Sequence, residues 1–350
     1  MRALTVQPGT PNSARLESID TAPNRDDEIV IRPLAVGICG TDHEIVSGRY
    51  GWPPSGRPRL VLGHEAVARV LSTSPGADLK AGELVVPIVR HPDPVPCSNC
   101  AVGEWDMCRN GQYTEHGIKE VDGFCAESVR MQPQFLVPVP AELGTLAVLI
   151  EPTSVVAKAW DHIERIGNRA HWQPRNVLVT GAGPVGLLAA LLARQRGLET
   201  HILDRATSGP KPQLARALGA HYFSDGLSAL LKRTPMDIVL ECTGAAPVIL
   251  EVIGHNAAGA ITCLVGVSSG GARIPVDVSR LNHDMVLEND VVFGTVNANR
   301  RHYEAAVAAL LRADPQWLRS LISRRVPLER WSEALQPQPD DVKVVIEVGE

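Results

Sequence analysis

Short apolar runs broken by glycine and proline fill the first 150 residues. Glu28–Leu34, Glu65–Leu71 and Glu83–Val89 have strand length and strand patterning. Pro75–Gly82 reads as a surface turn. From about Arg90 to Gly123 no period persists, which predicts a long irregular segment that is pinned or binds something. Together these features predict a mostly β domain.

The pattern changes after residue 150. Ile150–Trp160 has a helical period. Asn176–Thr180 is a short buried strand that runs into GAGPVG and then an apolar helix. His201–Leu203, Asp237–Leu240, Ala260–Val265 and Val291–Thr295 follow as strands. Helical stretches at Gln213–Leu218, Pro247–Ile253 and Tyr303–Arg312 complete the series. Strands alternating with helices predict a parallel sheet with crossovers. The expected fold class is α/β plus mostly-β. Residues 1–150 with about 305–350 form one domain, and about 151–304 the other. The tail, helical Leu328–Leu335 and strand Lys343–Val348, is expected to return to the first.

Composition narrows the function. A chain of 350 residues with 44% hydrophobic content can bury a sizeable core. The net charge of −5 is dispersed, without the basic stripe of a nucleic-acid binder. The longest uncharged apolar run, Val185–Ala193, is too short to cross a bilayer. The opening MRALTVQPGT carries no signal-peptide core. A cytoplasmic location with no membrane partner is therefore expected. The 7 cysteines are an odd number, which disfavours a disulfide framework.

Gly181, Gly183 and Gly186 form GxGxxG between a strand and a helix. The first glycine suits a tight turn, the second close approach of a pyrophosphate, and the third close helix–sheet packing. Phosphates would sit at the helix N-terminus, beside Pro184 and Val185. Thr243 joins the expected cofactor contacts. Asp204 ends the next strand, where a carboxylate accepts from both ribose hydroxyls of NAD and repels a 2′-phosphate. Arg205 and Lys211 lie close enough in sequence to offset that repulsion. NAD is expected over NADP, with dual use open.

A second constellation lies upstream. GICGTDHE holds Cys39, Thr41 and His43; VLGHEAV holds His64 and Glu65; IEPTS holds Glu151. Thiolate, imidazole and carboxylate suit one Zn²⁺ with a position left for water or substrate. A charge beside His64 in an apolar strand demands a partner, by metal ligation or by a hydrogen bond to a ligand. Glu151 also suits the start of a helix on dipole grounds alone.

GICGTDHE, LVLGHEAV, CSNC with a later cysteine, and GAGPVG resemble the medium-chain zinc-dependent dehydrogenase/reductase superfamily. DHEIVSG, LIEPTSV and HDMVLENDVVFGTVNANRRHYEAA resemble its microbial glucose 1-dehydrogenases, over nearly the whole chain. The resemblance implies a GroES-like catalytic domain and a Rossmann cofactor domain. It implies a catalytic zinc shell of Cys39, His64, Glu65 and Glu151, and oxidation of the C1 hydroxyl of β-D-glucose with NAD(P). Thr41 then resembles a proton-relay or substrate hydroxyl, and His43 a histidine near the nicotinamide ribose. Glu115 resembles a sugar-binding acid. Asn297 resembles a residue lining the cofactor and sugar site, and Glu151 joins the substrate contacts. A homodimer or homotetramer is implied by resemblance alone. A polyol or secondary-alcohol dehydrogenase is the alternative enzyme. A nucleotide-binding regulator is a distant second and predicts a damaged metal shell.

In the superfamily the structural zinc lobe has four cysteines. Cys97, Cys100 and Cys108 match the last three, and Pro94 occupies the place of the first. Either Asp93 or His91 supplies a fourth ligand to a structural zinc, or the lobe has lost its metal.

Overall fold

Residues 1–20, 26–254, 256–268, 270 and 273–349 are described by a computed structural model. They form two compact units, Met1–Ser154 with Asn297–Glu350, and Val155–Val296.

The strand Ile29–Ile38 organises the first unit. Ile29, Ile31, Ala35 and Val36 are fully buried along it. Its sheet runs in the spatial order Leu136–Val139, Leu84–Pro87, Glu65–Ser72, Ile29–Ile38, Lys343–Glu347, Ile322–Pro327. Val129–Met131 also pairs with Ile29–Ile38. The C-terminal strand thus lies two places from Glu65–Ser72, and Gly37 pairs with Glu65 on one side and Val345 on the other. Gly37 is constrained by space: a Cβ there would collide with the Glu65 carboxylate and the Lys343 side chain.

The segment from Arg90 to Gly123 has more order than its sequence suggests. Arg90–His91, Thr114–His116 and Glu120–Val121 build a small sheet, and two 3₁₀ turns lie at Cys100–Val102 and Trp105–Met107. Strands of two or three residues are too short to leave a periodic signal. Ile322–Pro327 also lacked one, because Ser323, Arg324 and Arg325 interrupt its apolar positions; it is ordered by parallel pairing with Lys343–Glu347. The expected helix Leu328–Leu335 resolves into a 3₁₀ turn, Leu328–Arg330, and a short helix, Trp331–Ala334.

The second unit carries a six-stranded, all-parallel sheet. Its order is His221–Phe223, Glu199–Leu203, Asn176–Thr180, Ile238–Glu241, Ile261–Leu264, Val291–Gly294. Leu178, Val239, Leu230, Leu231, Met236 and Val252 pack one side of it. The order reverses after Asn176–Thr180, the strand that leads into the glycine motif. Ligands bind at the carboxyl ends of strands at such switch points.

Candidate active site

Cys39 caps the helix Gly40–Val46. Its sulfur accepts from the Thr41 N–H at 3.3 Å, and its own N–H donates to Asp42 Oδ2 at 2.9 Å. Thr41 and His43 are therefore half-buried residues of this helix. His64 immediately precedes and Glu65 starts the strand Glu65–Ser72, after Gly63, whose φ of 89° suits only glycine. This geometry puts Cys39 Sγ 3.1 Å from His64 Nε2. The donor atoms of Cys39, His64 and Glu65 all lie within 4.8 Å of one another. Glu151 is buried at the start of the helix Ile150–Gly167 but stands outside that close set. Burial and the Glu65 charge push its carboxyl up to about 8.

Three charged residues that hold the expected site residues had no role in the sequence reading. Asp42 is fully buried, with Oδ1 3.5 Å from His64 Nδ1. Lys343 is fully buried, ion-paired with Glu65, and donates to the Ile38 carbonyl at 3.0 Å. Each had a signal: Asp42 sits three residues into a capped helix, and Lys343 opens an apolar strand where a charge needs a partner. The third is Arg90. It faces Glu115 directly in the strand register and donates from Nε and Nη2 to Glu115 Oε1 at 3.0 and 2.9 Å. Asn297, at φ 62°, donates to the same oxygen at 2.7 Å. Glu115 and Asn297 are thus joined across 182 positions of sequence.

In the second unit Gly181 makes its turn at φ 89°, and a Cβ at Gly186 would collide with the Gly181 carbonyl. At Gly183 the space a Cβ would enter is open. A cavity of about 710 Å³ lies against Gly181, Gly183, Asp204, Arg205 and Thr243. Asp204 accepts from the Ala182 and Ala206 N–H groups at 2.8 and 3.0 Å, and Lys211 Nζ lies 3.6 Å from it. Arg205 is exposed. Glu241 is a further residue missed in the sequence. Fully buried, it accepts from the Thr180 hydroxyl and from the Thr243 and Gly244 N–H groups, and so shapes the loop that carries Thr243.

The cysteine lobe brings Cys97, Cys100 and Cys108 together within the same 4.8 Å limit. N–H groups of Arg109 and Cys100 pull Cys97 down to about 6, while burial pushes Cys100 up to about 11. His91 does not join them: its ring stacks on Phe135 and packs against His116. Asp93 is buried, with Oδ1 accepting from the Val95 N–H at 2.8 Å, and it too stands outside the close set.

A family model described as "Glucose dehydrogenase C-terminus" matches residues 144–348, and one described as "Alcohol dehydrogenase GroES-like domain" matches residues 25–141. The chain belongs to the glucose dehydrogenase family. It is 37% identical over 360 residues to a glucose 1-dehydrogenase of Methanocella arvoryzae, covering 100% of both chains. It is 40% identical over 356 residues to glucose 1-dehydrogenase 2 of Vulcanisaeta moutnovskia, covering 99% of each. Among solved structures, a Haloferax mediterranei glucose dehydrogenase in complex with NADP, Zn and gluconolactone superimposes with TM-score 0.93 at 29% identity, covering 100% of both chains.

The residues of this glucose dehydrogenase fit a zinc ion. A half-buried sulfur, a buried imidazole nitrogen and a buried carboxylate oxygen converge, and such a donor set suits zinc. His64 Nδ1 and Asp42 Oδ1 are buried without a hydrogen-bond partner, yet face each other. A carboxylate on one ring nitrogen directs the other toward a metal. The open face at Gly183 likewise fits the close approach of a dinucleotide.

Proposed function

We propose that the chain oxidises the C1 hydroxyl of β-D-glucose to the lactone, passing hydride to NAD(P)⁺. The observation that carries this reading is the convergence of half-buried Cys39 with buried His64 and Glu65 in a chain of the glucose dehydrogenase family. These three residues would hold zinc, and Glu151 would complete its surroundings. When bound, zinc supplies Lewis acidity toward the sugar oxygen, and the nicotinamide supplies the hydride acceptor.

The chain's own task is to position groups and move a proton. Asp42 fixes the His64 ring, and Lys343 holds the Glu65 carboxylate. Thr41 offers its hydroxyl to the C1 oxygen, and the proton passes outward through Thr41 Oγ1 and His43. Glu115 and Asn297 form a polar surface for sugar hydroxyls. Such a surface selects against alcohols that leave its groups unpaired.

NAD is the preferred acceptor, with NADP also used. Asp204, at the end of Glu199–Leu203, repels a 2′-phosphate, while Lys211 and exposed Arg205 partly offset that repulsion. Cys97, Cys100 and Cys108 would supply three ligands to a second, structural zinc, with the fourth coming from neither His91 nor Asp93. The protein works as a homodimer or homotetramer. The helix Val278–Glu288 buries none of its residues and exposes Val278, Val286 and Leu287, which supports an assembly. Among the described residues no helix is long and apolar enough to cross a membrane. A cytoplasmic location accords with seven free thiols.

The test is a kinetic panel of aldoses, polyols and secondary alcohols with each nucleotide, followed by nicotinamide absorbance. Turnover confined to polyols would replace the aldose reading. Normal turnover in verified zinc-free protein would remove the metal from the mechanism.

A further inference from the structure

We infer that Arg90 is the positioning residue for sugar recognition: it locks Glu115 so that one carboxylate oxygen is consumed and the other faces the substrate. The inference rests on the proposed meeting of Glu115 with the sugar. Arg90 and Glu115 are both buried. Two guanidinium nitrogens and the Asn297 amide all donate to Oε1. Among the described residues no donor is directed at Oε2, so that oxygen keeps its lone pairs for a hydroxyl donor. Arg90 is itself fixed from two further sides. Nη1 donates to the Asp106 carbonyl at 3.2 Å, and the guanidinium lies 3.8 Å from the centre of the Tyr113 ring.

Asp106 belongs to the cysteine lobe. Its Oδ1 accepts from Asn299 at 3.0 Å, and Asn299 also donates to the Gly103 carbonyl at 2.5 Å. The lobe therefore reaches the sugar-facing carboxylate through a single side chain. Lysine cannot replace Arg90 here. It keeps the charge, but a single ammonium cannot reproduce the planar fork, the third bond and the ring stacking together.

The experiment is a cycle of Arg90→Lys, Glu115→Gln and the double variant, read as KM and kcat for glucose and KM for the nucleotide. Arg90→Lys is expected to raise glucose KM about tenfold or more, with kcat changed far less and nucleotide KM unmoved. In the Glu115→Gln background the same change is expected to move glucose KM by less than about twofold, because Arg90 acts through the missing carboxylate. One member of a monodeoxyglucose series, lacking the hydroxyl that meets Oε2, is expected to lose sensitivity to Arg90→Lys. If Glu115→Gln leaves glucose KM unchanged, the reading of Glu115 falls. If Glu115→Gln raises glucose KM but Arg90→Lys does not, or if the two effects multiply, the assignment of Arg90 is overturned.

Discussion

Lys343 and Glu65 form a buried ion pair that spans the intervening strand over Gly37, and neither side chain is more than 4% exposed. The pair explains both the lysine in an apolar strand and the glycine between the partners. Removing one member strands the other charge. Lys343→Met is expected to cost about 3–5 kcal/mol of folding stability, read from urea unfolding. Adding Glu65→Gln should return part of that loss, since it removes the orphaned carboxylate. An unchanged unfolding midpoint in Lys343→Met would show the pair to be dispensable.

Asp42 faces His64 Nδ1 from a fully buried position. Asp42→Asn keeps an oxygen able to accept from the Cys39 N–H but removes the charge beside the ring. Zinc affinity at the Cys39 site should fall about 10–100-fold, measured by competition with a chromophoric chelator. Wild-type affinity in this variant would mean that the ring is oriented by packing alone.

In the proposed site Asp204 would be the charge that discriminates the two nucleotides. Asp204→Ala should shift the ratio of kcat/KM from NAD toward NADP by about tenfold or more, because a tenfold change needs only about 1.4 kcal/mol. The check is initial rates at limiting nucleotide. A ratio that stays put would assign discrimination to Arg205 and Lys211 instead.

His116 is buried beside Phe124 and held down to about 4, and His91 is held down to about 2, in both cases chiefly by burial. Both bases have folded values below the unfolded value of about 6.5. The unfolded chain therefore binds more protons between these limits. The stability these groups contribute is present above pH ~6.5 and is lost as pH falls, through about 4 for His116 and onward for His91. His116→Gln should reduce the slope of stability against pH in that window by up to about 1.4 kcal/mol per pH unit. Unfolding curves between pH ~7 and pH ~4.5, which cover most of that window, test it, and an unaltered slope would place His116 outside the acid response.

Much of this molecule is legible in one dimension. Asn176–Thr180, the glycine motif and the helix behind it are local events: an apolar run, a turn only glycine tolerates and a helical period stand next to one another. The chemistry of Cys39, His64 and Glu65 is likewise readable as residue types with few alternative uses in apolar surroundings. What the sequence could not supply is partnership across long separations. Lys343 lies beside Glu65 because the last strand enters the first unit's sheet next to Ile29–Ile38. Arg90 meets Glu115 through a two-residue strand too short to carry a pattern, and Asn297 joins them from 182 residues away. His91, a ligand candidate by position, is turned into an aromatic stack by the fold. Patterning and residue chemistry are properties of neighbours along the chain. The pairing of buried charges depends on which strands become adjacent, and only the tertiary structure decides that.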